Sequence, residues 1–436
     1  MAKDKIFFKG ATLEGEFLKP NYSKGAHSVI KVLSYPYLKY VEGIKSIEIK
    51  NIDTLIENYT DFYDDKVGLV LAFRHTAKED APLLVHALNH QIDKKLKKIK
   101  KSYSGHAHFI YGSDVLNWAT KLSKIVFPAL GAIPVQNRSL NKEGLTILKD
   151  IIKKGEFPVA LAPESQVTYH MYKCDEISNG VSTFALWSLE RFESVKIVPI
   201  SIGYHHHKDH TVFVNELLKN WEKQTNIQLT KENLVERLIE ATDHTLTLLE
   251  TFYNVQSYSE NRVENLCENI MAQQEYLADI IANGSMLDRL FNLRYSSLKR
   301  LYLKDDILKN SSDFKKSNLK WEAVKGHLLL RNSQVIDILK YIDPTYIEGE
   351  VSGGRLNEYA LNLLDILNRF KGGNIDSRYS PKQKEALIFI GEPIEIKKTD
   401  IVKRKESAKR LESDILTSLN ETSLLMESYW EKPLNT

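Results

Sequence analysis

The stretch Val67-Gly-Leu-Val-Leu-Ala-Phe-Arg-His75 decides the fold. Val67 to Phe73 is apolar without interruption, the pattern of a strand covered on both faces in a helix-flanked sheet. The run stops at Arg74-His75, and Ala81 to His90 (APLLVHALNH) follows with a proline near its start and apolar residues at helical spacing. Asp80 therefore falls at the N-cap or first turn of a helix. Working outward, Phe157–Ala162 (FPVALA) runs into Pro163-Glu164-Ser165, and Lys196–Ile202 (KIVPISI) runs into Gly203-Tyr204. This alternation predicts an α/β fold, a mixed sheet covered by helices. In such sheets ligands gather beyond the carboxyl ends of the strands, so chemistry is expected on the loops after Phe73 and Ala162. Pro199 predicts an edge strand or a bulge, because it removes a ladder donor.

Away from these strands the texture changes. Residues 1–60 show no sustained period and read as an N-terminal flank. Beyond about Asn215 the pattern is helical, with Leu234, Leu238, Thr242, Leu246 and Leu249 on one face. A second helix carries Leu356, Leu363 and Leu367 and is closed by Gly372-Gly373. Strand character returns at Glu385–Ile396, and Ser407–Glu427 is amphipathic. The expected layout is a core of residues 61–215 with 385–430, and residues 216–384 as a helical insertion or an appended helical domain. In the appended layout, Thr211–Val214 and the helix Lys231–Glu250 are the closing strand and helix of the core.

At 436 residues, with 42% hydrophobic and 27% charged side chains, the chain has the composition of a globular protein rather than a disordered or fibrous one. A net charge of +3 does not mark a nucleic-acid binder, and none is expected as a partner. The two cysteines, Cys174 and Cys267, form neither a disulfide framework nor a zinc motif, which points to a reducing cytoplasm. The N-terminus lacks the apolar core of a signal peptide, and no run is long enough for a transmembrane segment. The expected location is cytoplasmic, with a peripheral membrane association compatible with it. Lys94–Lys101 (KKLKKIKK) packs six lysines into eight residues, a charge suited to an anionic membrane surface or an acyl carrier. His170 and Asp175 read as surface-loop residues, as do the histidines of His205–His210, and no metal site is expected.

His75 with Asp80 five residues later suits general-base chemistry: a carboxylate fixes the imidazole tautomer and stabilises the imidazolium that forms. The pair is followed in order by Gly131-Ala-Ile-Pro-Val-Gln-Asn-Arg138, by Phe157-Pro-Val-Ala-Leu-Ala-Pro-Glu164-Ser165, and by Lys196-Ile-Val-Pro-Ile200. This succession resembles the four motif blocks of the glycerolipid acyltransferase family, which includes lysophosphatidic-acid and glycerol-3-phosphate acyltransferases. The resemblance covers about Val67 to Gly203. It implies transfer of a fatty acyl group from acyl-CoA or acyl carrier protein to a hydroxyl of glycerol-3-phosphate or its 1-acyl derivative. It makes His75 the general base and Asp80 its orienting partner, with Arg138, Glu164, Ser165, Asn137 and Pro199 around the substrate. No cofactor is implied beyond the acyl donor. The family's third block has a glycine and a downstream arginine where this chain has Ser165 and no arginine, leaving Lys173 or His170 as replacements. That departure opens two alternatives: the same chemistry on a non-phosphorylated lipid acceptor, or an inactive membrane or protein adapter.

Overall fold

The computed structural model describes residues 18–112, 115, 122–135, 142–206, 209–256, 261–301 and 310–431. The chain divides into a sheet-bearing unit within residues 16–208 and 381–432, and a helical unit within residues 209–380. The sheet-bearing unit opens with helix α1 (Lys24–Pro36), a π-helical turn (Tyr37–Val41), strand β1 (Ile44–Lys50) and α2 (Ile52–Tyr63). These lie in the segment expected to be a flank, so that expectation is corrected: β1 pairs in parallel with a late strand, and Leu55, Tyr59 and Phe62 of α2 are buried. The apolar positions of α2 follow the helical period. In β1 the alternation is mixed with charge because only one of its faces is covered.

Next come β2 (Gly68–Phe73), α3 (Asp80–Ala87), a second π-helical turn (Leu88–Ile92) and α4 (Asp93–Ile99), which carries much of the lysine run. They are followed by β3 (His108–Gly112), α5 (Ser123–Ala129), β4 (Ile133–Val135), α6 (Lys142–Lys154), β5 (Val159–Leu161), α7 (Gly180–Ser188) and β6 (Ser194–His205). The helical unit comprises α8 (His210–Thr225), α9 (Leu234–Tyr253), α10 (Arg262–Ala278), α11 (Met286–Leu301), α12 (Asp313–Leu339) and α13 (Gly353–Phe370). Thr211–Val214, the alternative closing strand, is the first turn of α8: the Asp209 carboxylate accepts from the Val212 N–H at 3.0 Å and nucleates a helix despite the β-branched residues. The chain then returns to the sheet with β7 (Lys384–Ile390) and β8 (Ile394–Lys397) and ends in α14 (Arg404–Trp430).

The sheet has eight strands in the order β1-β7-β6-β2-β5-β3-β4, with β8 also on β6. It is mixed: β6 runs antiparallel to β7 and β8, and the other pairs are parallel. Strand β2 lies between β6 and β5, and every one of its residues is buried. Leu69, Leu71 and Phe73 pack in one apolar cluster and Val70 and Ala72 in another, which is why the run has no polar alternation. For Pro199 the edge alternative is corrected. It sits in the middle of β6, in register with Ala72, rather than at an edge. The missing donor is tolerated because β6 changes partner there. Its β8 pairing ends at Ile197↔Ile394, its β7 pairing begins at Ile200↔Ile390, and the Pro199 carbonyl accepts from Gly391 N.

Helix α1 is joined to this unit through histidines. His27 Nε2 meets Asn89 Oδ1 at 2.6 Å, and Ser34 Oγ meets His86 Nδ1 at 2.8 Å. The rings of His27 and His106 lie 4.7 Å apart. Burial pushes His106 down to about 3 and His86 down to about 4, and it also lowers His27 and His108. These rings are neutral in the folded chain at neutral pH, whereas in an unfolded chain each takes up a proton near pH ~6.5. Stability from His86 and His106 is thus full above that pH and lost as the pH falls towards about 4 and about 3, by at most about 1.4 kcal/mol per pH unit for each of these two, and His27 and His108 act in the same direction. The chemical-denaturation midpoint is expected to fall steeply between pH 7 and 5, with a shallower fall in His106→Gln. Equal slopes for the two proteins would contradict the assignment.

Candidate active site

Strand β2 ends by delivering two consecutive side chains to different tasks. Arg74 turns inward and is fully buried. Its Nε donates to Glu164 Oε1 at 2.6 Å, Nη2 donates to the carbonyls of His170 and Lys173 at 2.7 Å each, and Nη1 donates to Ser423 Oγ at 2.8 Å. One guanidinium fork thereby ties the loop after β5 and helix α14 to the end of β2. His75 is 24% exposed and continues the β2 positions that face α3.

The His75 backbone is clamped by the loop after β5. Its N–H donates to Glu164 Oε2 at 2.7 Å, and its carbonyl accepts from Thr168 N at 2.8 Å. Thr168 Oγ1 also donates to Glu164 Oε1 at 2.9 Å, so both Glu164 oxygens are taken by protein donors. The His75 ring places Nδ1 3.4 Å from Asp80 Oδ2. That same oxygen accepts the peptide N–H groups of Thr76 at 2.6 Å and Ala77 at 2.8 Å, while Oδ1 accepts from the Tyr204 hydroxyl at 2.5 Å.

Asp80 is wholly buried, and burial pushes its carboxyl up from the ordinary range, opposed by His75, Tyr204 and the Ala77 N–H. Peptide N–H groups can only donate, so Oδ2 is unprotonated and the proton facing it resides on His75 Nδ1. Nε2, the basic nitrogen of that tautomer, has no hydrogen-bond partner among the described residues. Burial raises the Tyr204 hydroxyl well above its usual value, with the Asp80 charge next in size, so the phenol stays a donor. Behind it, buried Lys384 pairs with Glu79 and lies 5.4 Å from the Tyr204 ring. The arrangement is chemically that of a base held in one tautomer by a desolvated carboxylate, at the carboxyl end of a central strand.

The structure brings His75, Asp80 and Glu164 together. Glu164, expected around the substrate, is instead a buried anchor that positions the His75 peptide. Ser165 is half-buried in the left-handed backbone region at φ 59°, with Oγ 2.7 Å from Ser178 Oγ. Pro199 is buried in the sheet, in register with Ala72, with its carbonyl accepting from Gly391 N. Asn137 and Arg138 lie outside the described residues. His170 is a correction: it is buried rather than in a surface loop, and its carbonyl serves Arg74. Lys173 is exposed and paired with Asp175 at 3.0 Å. His205, also expected in a surface loop, ends β6 half-buried, stacked on Trp430 at 3.6 Å.

Sequence reasoning missed Arg74, Thr168 and Tyr204. An arginine directly after a strand buried on both faces was a signal for the first, since such a charge must find a buried partner. Tyr204 carried no signal of its own, because β6 brings it to Asp80 across 124 residues. No protein-family model matches this chain, and no curated protein matches it.

Proposed function

We propose that the protein is an O-acyltransferase that moves a fatty acyl group from a thioester, on coenzyme A or acyl carrier protein, to a hydroxyl of glycerol-3-phosphate or 1-acylglycerol-3-phosphate. The observation that carries the reading is His75, with Nδ1 against buried Asp80 and Nε2 unengaged, at the end of β2. In this mechanism Nε2 takes the proton of the acceptor hydroxyl as its oxygen attacks the thioester carbonyl. The tetrahedral intermediate collapses by breaking the C–S bond, and the imidazolium returns its proton to the departing thiolate. The products are an ester and a free thiol, with no covalent enzyme intermediate. Asp80 stabilises the transient imidazolium, and Tyr204, the Thr76 N–H and the Ala77 N–H hold Asp80 still.

The test is release of free thiol by purified protein, with long-chain acyl-CoA or acyl carrier protein as donor and each of the two acceptors in turn. The expected result is release that depends on one acceptor and saturates with it. Failure of both donors with both acceptors would overturn the reading.

A further inference from the structure

Helix α1 is amphipathic in the reverse sense. Its half-buried side carries His27, Lys31 and Ser34, which are hydrogen-bonded to the rest of the unit, and none of its residues is fully buried. Its apolar side faces out: Val32 is 71% exposed and Leu33 58%, and in the π-helical turn that continues it Tyr40 is 74% and Val41 64% exposed. Helix α5 adjoins the start of α1 and also carries an exposed apolar side chain. The N–H groups of Asn21 and Ser23 bind the carbonyls of Pro128 and Ala129 at 2.9 and 3.0 Å, and Ile125 of α5 is 69% exposed. A helix covered by nothing would be expected to bury its apolar side, not its histidines.

The element packed beside α1 is cationic. Lys31 of α1 and Lys97 of α4 meet on the same Asp93 oxygen at 2.7 and 2.8 Å, which sets the lysine-rich helix α4 beside α1. Lys94, Lys98 and Lys101 are exposed and have no acidic partner among the described residues. Lys39 lies 5.5 Å from the Tyr40 ring, the arrangement by which a lysine stem covers apolar surface and its ammonium reaches outward. An apolar helix face with tyrosines and unpaired lysines at its margin matches the two halves of a charged bilayer surface, acyl chains and anionic headgroups.

We infer that the outward face of α1, the π-helical turn after it and α5 docks this protein on an anionic lipid bilayer, with α4 supplying the headgroup contacts. The dock adjoins the site: Glu42, next after Val41, has its carboxylate 3.8 Å from Lys78 Nζ, on the loop between His75 and Asp80. Docking would thus bring a lipid surface beside His75, but the inference stands on the exposed face and its charge and needs no acyl transfer.

The experiment is co-sedimentation of the full chain with sucrose-loaded vesicles of phosphatidylcholine, with and without phosphatidylglycerol at about one third of the lipid. Binding is expected on the anionic vesicles, weakened by salt and reduced by at least about tenfold on phosphatidylcholine alone. Val32→Asp with Leu33→Asp should abolish binding while leaving the thermal midpoint unchanged, since both side chains are exposed. Lys94→Glu, Lys98→Glu and Lys101→Glu together should weaken it by at least about tenfold. Absence of binding to anionic vesicles, or binding indifferent to the Val32 and Leu33 changes, would overturn the inference. So would a concentration-dependent dimer in lipid-free solution that the same two changes dissolve, because a second copy would then be the occupant.

Discussion

His75→Ala is expected to lower kcat for acceptor-dependent thiol release by about 10²–10⁴, with KM for the acyl donor little changed. In the proposed mechanism the imidazole is the proton acceptor for the attacking hydroxyl, and the other basic side chains of this loop are engaged, Arg74 with Glu164 and Lys78 with Glu42. The fold should survive, because the ring is 24% exposed and its only described side-chain hydrogen bond is to Asp80. Asp80→Asn is the companion variant, and its effect is mixed. An amide can keep its oxygen on Thr76 N, Ala77 N and His75 Nδ1 only by turning its NH2 to the Tyr204 oxygen, which must then accept instead of donate; flipped, it sets donor against both peptide N–H groups. It should lose rate because a neutral amide no longer stabilises the imidazolium, and lose stability as well. Steady-state kinetics together with circular-dichroism melts separate the two effects. A His75→Ala protein with wild-type kcat would remove His75 from the chemistry altogether.

The parts of this molecule that could be read in advance are those whose physics is local. The apolar run of β2 announces its two covered faces, and a carboxylate five residues beyond a strand-end histidine announces a helix start that turns back on it. Strand β1 and helix α2 were also written locally, as Ile47 and Ile49 alternating with charge and as Leu55, Tyr59 and Phe62 at helical spacing. They were obscured by α1, whose apolar residues point away from the core and break the expected pattern for the whole N-terminal region. Pro199 misled for a different reason: whether a missing donor matters depends on which strand stands opposite, and that is fixed by a return of the chain almost two hundred residues later. The same holds for Tyr204 on Asp80 and Ser423 on Arg74, contacts of sequence separation 124 and 349. Glu164 was legible as a residue near the site but not as an anchor, because its partner Arg74 was read as the end of a strand rather than as a buried charge.

That buried pair gives the largest expected effect on stability. Both side chains are 0% exposed, so removing either strands a charge that water cannot reach. Arg74→Met is expected to destabilise the sheet-bearing unit by about 3–5 kcal/mol, and Glu164→Ala by a similar amount. For a unit of this size that is a fall in melting temperature of roughly 6–20 °C. Arg74→Met also strips donors from the carbonyls of His170 and Lys173, whereas Glu164→Ala frees the His75 N–H and the Thr168 hydroxyl. The two variants should therefore differ in kind. Glu164→Ala should reduce kcat in the protein that remains folded, because the His75 peptide loses one of its two clamps. Arg74→Lys should recover little stability, since an ammonium cannot span the positions of Glu164, the two carbonyls and Ser423 Oγ that the fork reaches. In the double variant Arg74→Met/Glu164→Ala the two losses should be clearly sub-additive, because neither charge is then left alone. Strict additivity in thermal or urea unfolding would mean the pair is not coupled, and the anchoring role assigned to Glu164 would fall with it.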